Sequence, residues 1–434
     1  MLENEITTQP KSIVSVRTDG LGGRIWSLLC TMLEAEKQGC DFKFTWHNNN
    51  LMMIREFHTL PTAEEMFSEQ FLEAHYLVSL AEIGDEDVTT EGNRSNEFLA
   101  EYNGPKNLKR QFDRIGFRSP YSDAVQMAEA AKVPENAVAM HVRSGDIIFG
   151  KVRERTRFLG KTIPLPVAQS IVRDLVENGR PVIVFCQDEH SISLLVEEGA
   201  VPAAKYLPAE IGSEQERDLF EIVLMSKCSE ILAGGSVFAM TACLIGQASL
   251  RNPADNFSAE EIINIVEGYC TGERRVDGHI AAHALKYIYY NFPDVLDADH
   301  RIGLIKRMRD YDPDNRLYSF ILAYEFAKCG KLEDADNVLK ERLYLEYEEK
   351  KRMPCKSMKL LAYPVGYESR LNEVCNTFFD NAGKGYGYID LFAAYVLYKD
   401  KNKTRSLSII SKSIFSIDNK VLPFKLFFKC LRYK

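Results

Sequence analysis

Three polar residues close the stretch AVAMHVRSGDIIFG, Ala137 to Gly150: His141, Arg143 and Asp146. The spacing H-x-R-x-x-D gathers an imidazole, a guanidinium and a carboxylate. A guanidinium grips phosphate oxygens through two parallel bonds and keeps its charge at neutral pH. Three further stretches carry related chemistry. Asp188 and Glu189 follow the apolar run PVIVF, Pro181 to Phe185. Gly234, Gly235 and Ser236 stand between a short apolar run and VFAMTACLIG. Glycines let backbone approach a ligand closely, and free amides at a helix start favour an anion. RTDGLGGR, Arg17 to Arg24, sets Asp19 and Arg24 around Gly20 and Gly22.

The elements that would position these groups follow from periodicity. Ser12–Val16, Phe42–Trp46, Ala137–Val142, Pro181–Phe185 and Glu230–Ala233 read as strands. Ile25–Gln38, Met66–Ile83, Ser122–Lys132, Pro166–Asn178, Ser191–Glu198 and Glu216–Met225 read as helices, with Gly39 as a C-cap. Strands alternating with helices predict a parallel α/β sheet, whose ligands lie beyond the strands' carboxyl ends. All four polar stretches fall there. Simpler readings compete: Glu189 would cap the helix near Ser191, and Ser236 would cap the one after it. A phosphate loop from Gly145 to Lys151 fails at Val152, where Ser or Thr belongs. A dinucleotide fingerprint from Gly20 and Gly22 fails at Ile25.

His141-x-Arg143-x-x-Asp146 resembles the signature of the GDP-fucose-dependent fucosyltransferase superfamily (α-1,2-, α-1,6- and protein O-fucosyltransferases). The Arg17–Arg24 turn is similar to the family's G-G-L-G-N-R segment, with Asp19 for the first glycine and Gly23 for the asparagine. Asp188 and Glu189 resemble its S/T-D-D motif. Gly234, Gly235, Ser236, Val237 and Phe238 resemble its G-x-G-S-x-F-S, with Ala239 for the second serine. The resemblance covers about residues 12 to 250. It implies a GT-B-like pair of Rossmann-like domains, residues 1–130 on the acceptor side and 131–265 holding the donor. It implies inverting transfer of fucose from GDP-fucose to a glycan hydroxyl with no cofactor and no metal. Arg143, Asp146 and Asp19 are the catalytic candidates. The donor would contact His141, Arg143, Asp188, Glu189, Gly234, Gly235, Ser236, Val237, Phe238, Gly20, Gly22 and Arg24. The departures at Gly23 and Ala239 support the alternative, an inactive nucleotide-sugar-binding or scaffold protein with partner-binding helices.

From His279 onward, and within residues 266–434, helical periods dominate, which predicts an all-helical domain. Leu322, Ala323, Phe326, Ala335 and Leu339 match a tetratricopeptide-like pair, echoed more faintly at Ala394, Tyr395, Lys399, Ser406 and Ile410. Fifty-four Lys and Arg against 62 Asp and Glu give −8, which argues against a nucleic-acid binder. Residues 399–434 carry ten Lys and Arg against two Asp, a local +8 that leaves −16 on the rest. With Phe424, Phe427 and Phe428 beside Lys425 and Lys429, this tail predicts peripheral contact with an anionic membrane and suits a lipid-linked glycan acceptor. Ten scattered cysteines and no membrane-length apolar run predict a cytoplasmic, bacterial-type enzyme. Four D-x-D pairs, at Asp85, Asp297, Asp312 and Asp334, follow no clear strand and read as background in an acidic chain.

Overall fold

The computed structural model describes residues 10–47, 60–93, 95–102, 106–156, 158–272, 277–350, 368–399, 402–414, 417 and 423–427. The chain divides into two compact units. One comprises Met1–Ser144, Lys161–Ile163 and Ala168–Asn256; the other comprises Gly145–Gly160, Pro164–Val167 and Phe257–Lys434.

The first unit contains two parallel sheets. In the first, β1 (Ser12–Ser15), β2 (Asp41–Thr45), β3 (Tyr76–Leu77) and β4 (Asp87–Thr90) run in the order β3-β2-β1-β4. Helix α1 (Leu21–Gln38) is the crossover from β1 to β2, ended by Gly39 at φ 65°. Its apolar face, with Trp26 and Leu29, is buried beside the Phe42 and Phe44 side of β2. Two hydroxyl-capped helices follow, α2 (Ala63–Met66) and α3 (Glu69–His75); the rings of Phe67 and Phe71 stack around Phe44 at 5.2 and 5.6 Å. Helices α4 (Asn96–Tyr102), α5 (Lys109–Asp113) and α6 (Tyr121–Ala130) lead to the second sheet.

That sheet holds β5 (Val138–Val142), β6 (Val182–Cys186), β7 (Val201–Pro202), β8 (Glu230–Ala233) and β9 (Ser249–Arg251) in the order β7-β6-β5-β8-β9, all parallel. The strand order reverses between β5 and β8, where a doubly wound sheet opens its ligand crevice. After β5 comes α7 (Gly145–Ile148), which belongs to the second unit. Helices α8 (Leu165–Glu177), α9 (Glu189–Glu197), α10 (Glu214–Ser226) and α11 (Val237–Ile245) complete this layer. Apolar side chains of α10 and α11 share one buried cluster with those of α1, which joins the two sheets.

The second unit is helical: α12 (Ala259–Thr271), α13 (Gly278–Asn291), α14 (Ala298–Tyr311), α15 (Arg316–Lys328) and α16 (Leu332–Lys350), then α17 (Glu368–Asn381), α18 (Gly387–Lys399) and α19 (Lys403–Ser413). The residues read as a helix pair at 316–339 do form one, and Leu322, Ala323, Phe326, Ala335 and Leu339 are buried in it. In the pair α18–α19, Ser406 Oγ donates to the Ala394 carbonyl at 2.7 Å, and Tyr395 and Ile410 are buried.

The α/β class with two parallel sheets and a helical C-terminal part is therefore as the sequence indicates. Three local readings change. Helix α1 begins at Leu21 rather than Ile25, so four residues of the glycine-rich turn, Leu21–Arg24, lie inside it. Met66–Ile83 is not one helix: α3 gives way to β3 and a 3-10 turn at Leu80–Glu82. Strand β4, exposed and polar, gives no alternating signal in the sequence. One aspartate of each D-x-D pair has a structural partner. Asp87 accepts from Ser12 Oγ at 2.7 Å, Asp297 caps α14, Asp312 pairs with Arg153, and Asp336 accepts from the Tyr388 amide at 2.7 Å.

Candidate functional site

Register aligns the ends of three neighbouring strands. His141 on β5 stands opposite Phe185 on β6 and Ala233 on β8. Arg143, Asp188 and Gly234 therefore emerge at the same edge, within two residues of their strand ends. This is the edge at which a parallel sheet presents ligand-binding loops.

His141 is buried, and its ring stacks on Phe238 with centroids 5.6 Å apart and planes 21° off parallel. Burial, and then the Arg143 charge, push its pKa down to about 3, so the imidazole is neutral. Its Nδ1 is buried and has no hydrogen-bond partner among the described residues. An unsatisfied buried polar atom of this kind costs about 1–3 kcal/mol. Arg143 is half-buried beside it.

The β8–α11 turn is shaped by close approaches. A Cβ on Gly234 would sit 2.7 Å from the Lys161 carbonyl carbon, so no side chain fits. Gly235 is exposed. Ser236 stands at the N-cap of α11 and is buried, yet its side chain makes no capping hydrogen bond. The competing reading of Ser236 as a conventional cap is thus not what its hydroxyl does. The first-turn amides of this nine-residue helix receive nothing from that hydroxyl, and they carry the positive end of the helix dipole. Val237 and Phe238 form its first turn.

The first sheet meets this turn at its glycine-rich segment. A Cβ on Gly22 would lie 3.0 Å from Phe238 Cα, which explains glycine at that position. Thr241 Oγ1 lies 2.8 Å from the carbonyl oxygens of both Gly22 and Val237, tying the two segments together. Gly20 caps α1 in extended backbone. The Asp19 carboxylate is held by both arms of Arg17: Nε donates to Oδ1 at 2.6 Å, and Nη2 donates to Oδ2. Arg17 is 4% exposed and Asp19 40%. The Asp19 carboxylate occupies the volume a side chain on Gly23 would need. Arg24 is buried, its guanidinium 4.8 Å from the centre of the Trp46 ring. It donates to the carbonyls of Asp19 at 2.8 Å, Thr18 at 3.2 Å and His47 at 2.7 Å. Burial pulls its pKa down to about 10.

Asp188 caps α9: Oδ1 accepts from the Ser191 amide at 2.7 Å, and Oδ2 accepts from Ser144 Oγ. The capping carboxylate is therefore Asp188, one residue before Glu189, which is exposed in the helix's first turn. Asp146 opens α7 and is counted with the helical unit. Of the residues singled out, the first unit brings together His141, Arg143, Asp188 and Gly234–Phe238 around one sheet edge. It sets Gly22 against Phe238, with Arg24 bonded to the Asp19 carbonyl.

Sequence reasoning missed Asp218 and Glu221 on α10. Burial first, then the charges of Glu221 and Glu214, push Asp218 up to about 7 against the pull of Arg217 and Arg143. Burial also raises Glu221. Their only signal in the chain is an acidic pair at i, i+3 bordering the apolar stripe Leu219, Phe220, Val223 and Leu224.

No protein-family model matches this chain, and no curated protein does. Several solved structures have a related chain trace. A fucosyltransferase NodZ from Bradyrhizobium is 13% identical, with 55% of this chain and 94% of that one covered and a TM-score of 0.33. NodZ alpha-1,6-fucosyltransferase co-crystallised with GDP is 13% identical, with 55% and 93% covered and a TM-score of 0.31. POFUT1 in complex with GDP is 10% identical, with 56% and 99% covered and a TM-score of 0.34.

Proposed function

We propose that this chain is an inverting, metal-independent glycosyltransferase that moves fucose from GDP-fucose to a glycan hydroxyl. One observation carries the reading. Where the strand order of the second sheet reverses, the chain places a buried imidazole with an unpartnered Nδ1, a half-buried guanidinium and an uncapped helix start at one edge. That set suits a nucleoside diphosphate. His141 faces the nucleoside, and Arg143, Ser236 and the first amides of α11 face the diphosphate.

The reaction breaks the bond from the sugar C1 to the β-phosphate oxygen. The acceptor oxygen bonds C1 from the opposite face, turning the β-linked donor into an α-linked product. The acceptor proton leaves to a carboxylate or to water, and GDP departs with its extra charge. Arg143 and the helix start act where that charge develops, as a preorganised electrostatic clamp. Asp19 and Asp146 are the carboxylates we assign to the acceptor's proton. Asp188 keeps its cap and its Ser144 bond while its remaining lone pairs accept from the guanine edge.

Calorimetry with GDP, ADP and UDP, followed by GDP release from GDP-fucose with and without glycan acceptors, tests the reading. Micromolar GDP binding that ADP does not match, with release of GDP, supports it. Binding without release supports the scaffold alternative, and no binding ends both. Loss of activity in EDTA would overturn metal independence.

The basic tail supports a lipid-linked acceptor at an anionic membrane. Phe424 is 44% exposed beside Lys425, while Leu426 is buried; Phe428 and Lys429 lie outside the described residues. No described helix is long and apolar enough to cross a membrane. Co-sedimentation with phosphatidylserine vesicles at low salt, lost at high salt, is the expected result; no binding at low salt would overturn it.

A further inference from the structure

The second sheet carries a charged cavity at its other end, where the strands begin. Val138 on β5 stands opposite Val182 on β6 and Glu230 on β8, and Glu230 stands opposite Ser249 on β9. The amino ends of four neighbouring strands are thus in line. An open cavity of about 500 Å³ lies at this edge, lined by Asn136, Arg180, Ser229, Glu230, Ser249 and Arg251. Its size falls within the roughly 300–1,000 Å³ of small-ligand sites. All of the lining residues are polar, and all belong to the first unit. His141, Arg143 and Gly234 stand at the opposite, carboxyl edge of the same sheet, so this cavity is not part of the donor site.

Local structure fixes both arginines. Helix α8 closes on Gly179 in the left-handed region, φ 74°. The amides of Gly179 and Arg180 donate back to the carbonyls of Val176 and Leu175, each at 2.9 Å. This pair of closing bonds pins Arg180 just before β6. Arg251 is the last residue of β9. Between them, Glu230 Oε2 accepts from Arg180 Nη1 at 3.0 Å, and Oε1 accepts from Arg251 Nη1 at 2.9 Å. The Glu230 side chain is 10% exposed, against 36% for Arg180 and 53% for Arg251. A guanidinium has five N–H donors. Among the described residues, Arg180 bonds Glu230 alone, and Arg251 bonds Glu230 and Asn256. A simple ion pair needs one arginine per carboxylate. Here two guanidinia converge on one covered carboxylate, which leaves a net +1 in a concave site. Asn136 enters β5 at φ 57°, a backbone region that asparagine tolerates. Ser229 Oγ is spent on the Ala137 carbonyl at 2.9 Å.

We propose that this amino edge is a second anion site, which takes a phosphate group as the free ion or as a small phosphate monoester. Glu230 aligns the two forks. Arg180 and Arg251 donate charge-assisted bonds to the phosphate oxygens, and Ser249 and Asn136 add neutral donors. The site stands independently of the donor reading.

Calorimetry with inorganic phosphate at low salt tests it, on the full native chain and on Arg180→Gln and Arg251→Gln. Phosphate can also enter the diphosphate clamp, so Arg143→Gln is titrated beside them. Arg180→Gln and Arg251→Gln should each weaken binding at this edge by about tenfold or more, and Arg143→Gln should leave it within about twofold. Hydrogen exchange gives the location. Phosphate should slow the amides of residues 178–182 and 249–251 in the native chain and in Arg143→Gln, but not in Arg180→Gln. Arg180→Lys keeps the charge without the fork and should still lose about fivefold. If it binds as the native chain does, the edge is diffuse surface charge and the proposal falls. Glycerol 3-phosphate binding tighter than inorganic phosphate would identify the monoester as the ligand, and the reverse order the free ion; either supports the site. If Arg180→Gln does not fold, Arg251→Gln decides by the same readouts, since Glu230 then keeps Arg180. No phosphate binding at low salt, or binding that only Arg143→Gln removes, would overturn this site and leave the donor reading standing. Failure of GDP to bind, with phosphate still held at Arg180 and Arg251, would sink the donor reading alone.

Discussion

The β1–α1 and β8–α11 turns look alike as sequence and behave as opposites in the fold. Each joins a buried strand to a helix through glycines and polar side chains. In the first, most polar groups are spent on one another: Arg17 on Asp19, and Arg24 Nε and Nη2 on three backbone carbonyls, with only Arg24 Nη1 left without a partner among the described residues. In the second, Ser236 makes no capping bond, and the neighbouring His141 keeps an unpartnered Nδ1. Residue types marked both turns as candidate sites. The two turns thus differ in how much of their hydrogen-bonding capacity is already used.

Changes in the two turns should therefore fail differently. The largest effect is expected at Arg143→Lys, where a point charge replaces the fork. Steady-state kinetics should show kcat down by about 100-fold or more, roughly 3 kcal/mol, with the melting temperature held. Arg24→Met should do the reverse. Freed buried carbonyls should lower unfolding free energy by roughly 3 kcal/mol in urea titrations, and GDP should still bind to the protein that remains folded. If Arg24→Met abolished GDP binding at full stability, the first turn would be a ligand site after all. Ser236→Ala should weaken GDP by roughly 1 kcal/mol, about fivefold by calorimetry, with no loss of stability, because no cap is removed.

The smallest expected effect is on pH dependence. His141 and His283 are both pushed down to about 3 by burial, so the unfolded chain takes up protons first. Their contribution to stability is fully present above pH ~6.5 and is lost as pH falls from there toward 3. His283→Phe, in the helical unit, should flatten that acid slope while GDP affinity stays constant. An unchanged slope would mean that other groups set it.

Much of this was readable in the chain. Strand β8 falls on Glu230–Ala233 as the apolar run predicts, β5 starts one residue later than predicted, and β6 is shifted by one residue at both ends. Buried parallel strands are short continuous apolar runs, and their boundaries are sharp for that reason. The start of α1 was hidden because Gly22 and Gly23 are poor helix formers. Their place in the first turn is set by Phe238 and Asp19, contacts that no local pattern contains. Asp218 was hidden for the same reason. Its perturbation comes from burial and from the charges around it, not from its neighbours in sequence. The buried state of Lys286 was hidden too, since a lone lysine in an apolar helix reads as its solvent-facing residue. The backbone bonds of Arg24 were hidden as well: its Nε donates to the Asp19 carbonyl and its Nη2 to those of Thr18 and His47, none of them readable from residue types.

The crowding of Asp19 against Gly23 also constrains how this turn can change over generations. An asparagine at 23 collides with the Asp19 carboxylate, so Gly23→Asn is blocked while Asp19 stands. Asp19→Gly clears the space but strands the buried Arg17 without its counter-charge. Each step toward the G-G-L-G-N-R arrangement is costly by itself, and the pair together costs less than the two added. Positions 19 and 23 are thus epistatic, with a coupling on the order of 1–3 kcal/mol. Asp19 with Gly23 is therefore a local optimum of stability, left more readily by a paired change than by either substitution alone.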